Sequence, residues 1–264
     1  MTAPAESLGF EEGSPVKLSS AREQVHVWRV ALECGPEEEA QLRALLTAQE
    51  TERAERYRFE KDRHSFIVRR GVLRLLLGWY LDTGPFRPAF TATDFGRPIL
   101  PAGAAGANLR FSVSHSGGLA LLAFARDREI GVDVEQVRGD LDYCAISSLY
   151  FSEGEQASLR LLPSEMRREA FFACWSRKEA YIKARGQGLS IPLDLFDVTL
   201  HPEEPAQILA IRDRTDPVPI WSMSALDVGP GFAAALVVEG QGAQILRRAW
   251  CGTDPFLAGR RPIV

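Results

Sequence analysis

Cysteine is sparse and scattered in this chain. Cys34, Cys144, Cys174 and Cys251 are its four, and no two stand in a C-x-x-C spacing. That argues against a thiolate zinc site or a disulfide scaffold and points to a reducing, cytoplasmic setting. Long apolar runs are also missing. The longest apolar stretch, residues 72–81, is broken by Arg74 and is too short to span a bilayer. The first residues mix acids, Pro and Gly without the apolar centre of a signal peptide, so residues 1–22 read as a flexible tail. Nor does one charge dominate. There are 31 Lys and Arg against 35 Asp and Glu, a net −4, which gives no reason to expect a nucleic-acid partner.

What is present is enough apolar material for a core. Hydrophobic residues make up 45% and charged residues 25% of 264 positions, the mixture of a soluble globular protein of one large domain or two small ones. Alternation predicts a strand over 25–30. Helical periodicity predicts helices over 37–46 and 49–58, and a third that Asp62 would cap, with Phe66, Ile67, Leu73, Leu76 and Leu77 on its core face. Short strands at 90–93 and 98–100 flank a turn at 94–97. Strands at 109–115, 119–125 and 130–135 follow.

The second half repeats this plan. Helices are expected over 153–162 and 163–185, then strands at 196–201, 206–211, 219–225, 232–238 and 244–248. The stretch Ile220-Trp221-Ser222-Met223-Ser224, a Gly-Pro-Gly turn and Phe232-Ala233-Ala234-Ala235-Leu236 echoes an earlier one. That is Phe111-Ser112-Val113-Ser114-His115, a Gly-Gly turn and Leu119-Ala120-Leu121-Leu122-Ala123. The fold class expected is therefore α+β: a pseudo-dimer of two similar α/β halves, 23–130 and 131–264, with the seam near 126–140 and a ligand cleft between them.

The chemistry concentrates at two places. In the strand Gly131-Val132-Asp133-Val134-Glu135, the two acids point to one face. In the helix Trp175-Ser176-Arg177-Lys178-Glu179-Ala180-Tyr181-Ile182-Lys183, Glu179 and Lys183 are four apart and share a face. Separately these are a solvated strand face and a helix ion pair. Together, three carboxylates and a lysine suit a hard divalent cation and a phosphate. Gly186 and Gly188 close the helix and permit close approach of a ligand or second backbone. Arg177 and Lys178 read as surface charge, Phe171 and Trp175 as core. His115, before Ser116-Gly117-Gly118, is either structural or a phosphate contact. Pro98 holds Arg97 extended. Arg53, Arg56, Arg69, Arg70 and Arg74 are further cationic candidates.

Five segments in order resemble the 4′-phosphopantetheinyl transferases of the surfactin-synthetase-activating type. They are Phe95-Gly96-Arg97-Pro98, Phe111-Ser112-Val113-Ser114-His115-Ser116-Gly117, Gly131-Val132-Asp133-Val134-Glu135, Phe151-Ser152-x-x-Glu155, and Trp175-x-x-Lys178-Glu179-Ala180-x-x-Lys183-x-x-Gly186-x-Gly188-Leu189. The resemblance extends from about Val25 to Arg248. It implies transfer of the 4′-phosphopantetheine arm of coenzyme A to a serine of an apo acyl, aryl or peptidyl carrier protein, with release of adenosine 3′,5′-bisphosphate.

By the same resemblance, Asp133, Glu135 and Glu179 would hold Mg²⁺, or Mn²⁺ in its place. Glu179 would also take the serine proton, and Lys183 would balance diphosphate charge. Ser114 and His115 would lie near the 3′-phosphate, and Phe95, Gly96, Arg97 and Pro98 near the adenine. The family often carries Lys where this chain has Arg97, and Arg53 and Arg70 match basic positions loosely. With one complete cleft per chain, a monomer is expected. Leu149, Tyr150 and Phe151 offer an apolar surface for the carrier. Two other classes stay open: a Mg²⁺-dependent phosphohydrolase of coenzyme A or a related nucleotide, and an inactive carrier-binding module, against which the intact acidic triad argues.

Overall fold

The computed structural model describes residues 8–12, 16–18, 22–93, 98–101, 108–212 and 220–257. The chain opens with β1 (Gln24–Ala31), followed by α1 (Pro36–Arg43), α2 (Ala48–Glu55) and α3 (Glu60–Tyr80). A small hairpin, β2 (Thr91–Ala92) and β3 (Pro98–Ile99), leads to β4 (Leu109–Ser116), β5 (Leu119–Arg126) and β6 (Ile130–Gln136). Then come α4 (Tyr143–Tyr150), α5 (Glu153–Leu161) and α6 (Ser164–Arg185). The remainder is β7 (Phe196–Val198), β8 (Ile208–Ile211), β9 (Trp221–Ala225), β10 (Phe232–Glu239), β11 (Gln244–Ala249) and α7 (Asp254–Leu257).

The repeat heard in the sequence is visible in the sheets. One has the order β11-β1-β5-β4 and the other β6-β10-β9. Leaving out β11, strand, long helix and hairpin recur in the same arrangement: β1, α3, β4 and β5 in one half, β6, α6, β9 and β10 in the other. This is an α+β pseudo-dimer. β11 belongs by sequence to the second half but pairs in parallel with β1, so the C-terminal strand joins the opposite sheet.

Period-two alternation explains the layers. On β1, Val25 and Val27 face Val132, Val134 and Leu236 of the second sheet, whereas Trp28 and Val30 face α3. α6 covers the outer face of the second sheet with Ala180, Ile182 and Ala184 against Ala235 and Val237. The order is helices, sheet, sheet, helix; the seam between sheets is mostly apolar, with Arg29 of β1 donating to the Val228 carbonyl at one place and polar side chains where β4 meets β6.

Several expectations change. Asp62 does not cap α3: Phe59 holds that position with no side-chain cap, and Asp62 lies within the first turn, where Glu60 and Asp62 favour the helix dipole instead. α4 was not foreseen as a separate helix; Asp142 caps it by accepting from the Ala145 amide. Phe10 and Leu18, inside the segment expected to be a tail, are buried. Glu11 bridges to Arg248 beside β11. Arg74, on the expected core helix, is wholly buried and reaches Glu50 through Nε and Nη2 at 2.7 and 2.8 Å.

Candidate functional site

The site forms where α6 crosses β6, and a missing side chain makes that crossing possible. A Cβ on Gly131 would lie 2.0 Å from the Ala180 carbonyl oxygen and 2.4 Å from the Ala184 amide nitrogen. Only glycine admits helix backbone that close. α6 therefore lies directly over the strand face bearing Asp133 and Glu135. Gly186 ends the helix with φ +72°, so its last turn delivers Lys183 to the same place.

Lys183 Nζ stands 2.6 Å from Asp133 Oδ1 and donates to Ser114 Oγ at 3.0 Å. Ser114 in turn donates to the same Asp133 oxygen at 2.7 Å. Asp133 is 2% exposed, and its other oxygen, Oδ2, is buried without a hydrogen-bond partner. Ser116 donates to Glu135 Oε2 at 3.1 Å. These contacts join Lys183, Ser114 and Asp133 in one network and set the Ser116–Glu135 bond beside it, drawing on three elements of both halves.

Glu179 belongs to the same neighbourhood. Its pKa is pushed up to about 7, first by burial and then by Asp133 and Glu135, with Lys183 acting the other way. Glu135 is raised for related reasons: burial, then the Asp133 charge, offset by Ser116, Lys183 and Arg138. Two carboxylates held above their ordinary range by burial and by neighbouring acids describe a crowded anionic pocket that a cation would relieve.

Among the described residues, no three His, Cys, Asp or Glu side chains stand in the arrangement of a ready-made ion site. The ammonium of Lys183 supplies the positive charge beside Asp133. The donor chemistry nevertheless fits a hard dication, because the set is all carboxylate oxygen and the Asp133 Oδ2 lone pairs are unsatisfied.

On the neighbouring side of β4, His115 lines a cavity of about 320 Å³ with Tyr57, Lys61, Asp62, Ser65 and Arg69. The His115 pKa is lowered to about 4 by desolvation and then by Arg69 and Lys183. Lys61, Ser65 and Arg69 recur every four residues on one face of α3. That spacing was legible in the sequence and singles out Lys61, which the arginine candidates had overshadowed.

Arg53 and Arg70 do not line this cavity. Arg70 lies 3.4 Å from Glu50 and stacks over Phe90, and Arg53 lies over Phe66. Phe95, Gly96 and Arg97 fall outside the described residues. Pro98 pairs with Ala92 in the small hairpin.

Two readings of α6 are corrected. Lys178 and Arg177 are buried, not surface charge. Arg177 donates to the carbonyls of Thr199, His201 and Glu204. Of the three apolar residues at the end of α4, Leu149 and Tyr150 are exposed at 74% and 44%, but Phe151, its C-cap, is buried and stacks on Phe171 with ring centres 5.3 Å apart.

The sequence matches two family profiles. One, described as the 4′-phosphopantetheinyl transferase superfamily, covers residues 129–237. The other, described as 4′-phosphopantetheinyl transferase, N-terminal, covers residues 31–126. The 4′-phosphopantetheinyl transferase HetI of Nostoc sp. (strain PCC 7120) is 37% identical over 231 residues, 87% of this chain and 94% of that protein. The 4′-phosphopantetheinyl transferase Sfp of Bacillus subtilis (strain 168) is 28% identical over 203 residues, 76% of this chain and 85% of that one. A phosphopantetheinyl transferase of Thraustochytrium sp. is 29% identical over 201 residues, 71% and 69% of the two chains.

Proposed function

This chain belongs to the 4′-phosphopantetheinyl transferase superfamily, and on that premise we propose that it transfers the 4′-phosphopantetheine arm of coenzyme A to a serine of an apo carrier protein. The serine oxygen bonds to the phosphorus that carries the pantetheine. The anhydride bond breaks, and its oxygen leaves with adenosine 3′,5′-bisphosphate. The serine proton passes to a base.

The observation that carries this reading is the meeting of Glu179 and Lys183 with Asp133 at the seam of two similar halves. Asp133, Glu135 and Glu179 would hold a Mg²⁺, or a Mn²⁺ in its place, which when bound neutralises diphosphate charge. Lys183, steadied by Ser114 and Asp133, adds positive charge on the leaving side. Glu179, whose raised pKa lies near neutrality, is the candidate base for the serine proton. Lys61, Arg69 and His115 suit the 3′-phosphate of the nucleotide, and a bound phosphate would restore the charge on His115 that the cations suppress. Leu149 and Tyr150 are the apolar contact offered to the carrier.

We also assign the chain to a monomer working in the cytoplasm. Four free cysteines support a reducing setting, and no helix among the described residues is long and apolar enough to cross a membrane.

The test is intact mass of a purified apo carrier after incubation with coenzyme A, Mg²⁺ and this protein. Transfer adds the arm to the carrier and releases one adenosine 3′,5′-bisphosphate per carrier. A hydrolase would release nucleotide and leave the carrier unchanged. An inactive carrier-binding module would do neither.

A further inference from the structure

β6 is paired with β10 along one edge only. Its other edge faces β4, which belongs to the other sheet, and there serine hydroxyls stand in for backbone partners. Ser112 Oγ accepts from the Val132 amide at 3.1 Å, and Ser116 Oγ accepts from the Gln136 amide at 3.1 Å. Between them, Ser114 donates to Asp133. Ser112, Ser114 and Ser116 alternate along β4, so all three hydroxyls share the face turned to β6.

The outer two serines differ in one respect. Ser112 holds strand backbone. Ser116 holds strand backbone and also donates to Glu135 Oε2 at 3.1 Å. A hydroxyl has one proton and two lone pairs. With the Gln136 amide fixing a lone pair, the rotor is set and its proton is aimed at Glu135.

We propose that Ser116 is a positioning residue for Glu135. It occupies Oε2, so that the carboxylate presents its other oxygen to the cation. The inference rests on the reading of Asp133, Glu135 and Glu179 as the ligand set. It makes β4 of the first half a working part of a site whose acids all lie in the second half. The cost of losing it is that of an outer-sphere partner, commonly 10–100-fold in metal affinity.

The test is a Mn²⁺ titration by electron paramagnetic resonance at saturating coenzyme A, with thermal unfolding of each variant alongside. Ser116→Ala is expected to weaken Mn²⁺ binding by about 10–100-fold. Ser116→Thr, which keeps the hydroxyl, is expected to restore most of that affinity. Ser112→Ala removes a backbone bond alone, so it is expected to lower the melting temperature while Mn²⁺ affinity stays within about twofold, since it touches no carboxylate. The proposal is overturned if Ser116→Ala binds Mn²⁺ as wild type does. It is also overturned if Ser112→Ala loses affinity as much as Ser116→Ala, because the serines would then act only through stability. If wild type itself binds no Mn²⁺, the ligand reading fails and this inference falls with it. Should Ser116→Ala not fold, the Ser116→Thr and Ser116→Cys pair decides the matter: only the weaker-donating thiol should lose affinity.

Discussion

Lys178 Nζ lies 2.8 Å from Glu155 Oε2, and both side chains are buried within the helical layer of the second half. The ammonium also donates to the carbonyls of Leu193 and Phe196 at 2.7 and 2.6 Å and sits 4.3 Å from the centre of the Phe196 ring. The carboxylate completes the capping box of α5 with Ser152 and accepts from the Val198 amide at 2.9 Å through Oε1. One ion pair thus ties α6, α5 and β7 together, one residue away from Glu179. Removing one partner strands the other charge inside. Lys178→Met is expected to cost about 3–5 kcal/mol, measured by urea unfolding. A loss under about 1 kcal/mol would mean that water or rearrangement relieves Glu155.

Gly131→Ala should do more harm than its single methyl suggests. The new Cβ would lie 2.0 Å from a backbone carbonyl of α6, so helix and strand must separate. Overpacking of this kind costs about 1–3 kcal/mol. Since the separation falls beneath Glu179 and Lys183, transfer to an apo carrier should drop far more than stability does. Unchanged activity with a lowered melting temperature would show that the acids tolerate a displaced helix.

Why some of this was legible in the sequence and some not follows from what each pattern encodes. Alternation and 3.6-residue spacing record which side of an element is buried, so β1, β4 to β6, α3 and α6 emerged with nearly their observed bounds. The repeat emerged because both halves bury the same strand–helix–hairpin unit. Buried charge is invisible to such patterns. Lys178 and Arg177 look like surface residues until the carbonyls and the Glu155 partner that satisfy them are seen. The pairing of β11 with β1 joins residues more than two hundred positions apart, and no local signal encodes it. Asp62 failed as a cap because the helix began three residues earlier, at a boundary that propensity alone leaves loose.

His26 makes stability depend on acidity. Its Nδ1 lies 2.8 Å from the Tyr80 hydroxyl, which also accepts from Trp28 Nε1 at 2.7 Å. The ring thus shares the buried Tyr80 hydroxyl with the Trp28 indole, and the imidazole is neutral. Its pKa is lowered to about 4 by burial and, secondarily, by Arg248. The unfolded chain takes up this proton near pH 6.5 and the folded one only near 4, so stability is full above 6.5 and falls as pH drops through that window. Between pH 7 and 4.5 this residue alone should remove about 2–3 kcal/mol. In His26→Asn, the difference in urea-unfolding stability between those two pH values should shrink by that amount. An equally steep fall in the variant would assign the acid sensitivity to other groups.

The cavity beside β4 gives a prediction that separates nucleotide recognition from chemistry. His115 and Arg69 line it, and neither Asp133 nor Lys183 does. Losing one charged hydrogen bond there should weaken binding by about 1.5–3 kcal/mol. His115→Ala and Arg69→Gln should raise KM for coenzyme A while leaving KM for dephospho-coenzyme A nearly unchanged, since that substrate lacks the 3′-phosphate. Equal damage with both substrates would place these residues in the fold or the chemistry.

Glu179 offers the sharpest discrimination. It sits on α6 next to Lys178, which anchors the helix, and one turn before Lys183, which reaches Asp133. From there it borders the acidic pocket and, on the proposed reading, would meet an incoming carrier serine. Glu179→Gln keeps the size and the packing of the helix but removes the negative charge and the proton acceptor that the proposed roles require. Loss of a general base costs about 10²–10⁴-fold in rate, and loss of a ligand adds to it. In single-turnover transfer to an apo carrier, the rate should collapse by at least that factor. Calorimetric binding of coenzyme A at high Mg²⁺ should remain within a few-fold of wild type, roughly 1 kcal/mol at most. Transfer within a few-fold of wild type would mean that the serine proton leaves to bulk water or to another group, and that Asp133 and Glu135 hold the cation without Glu179.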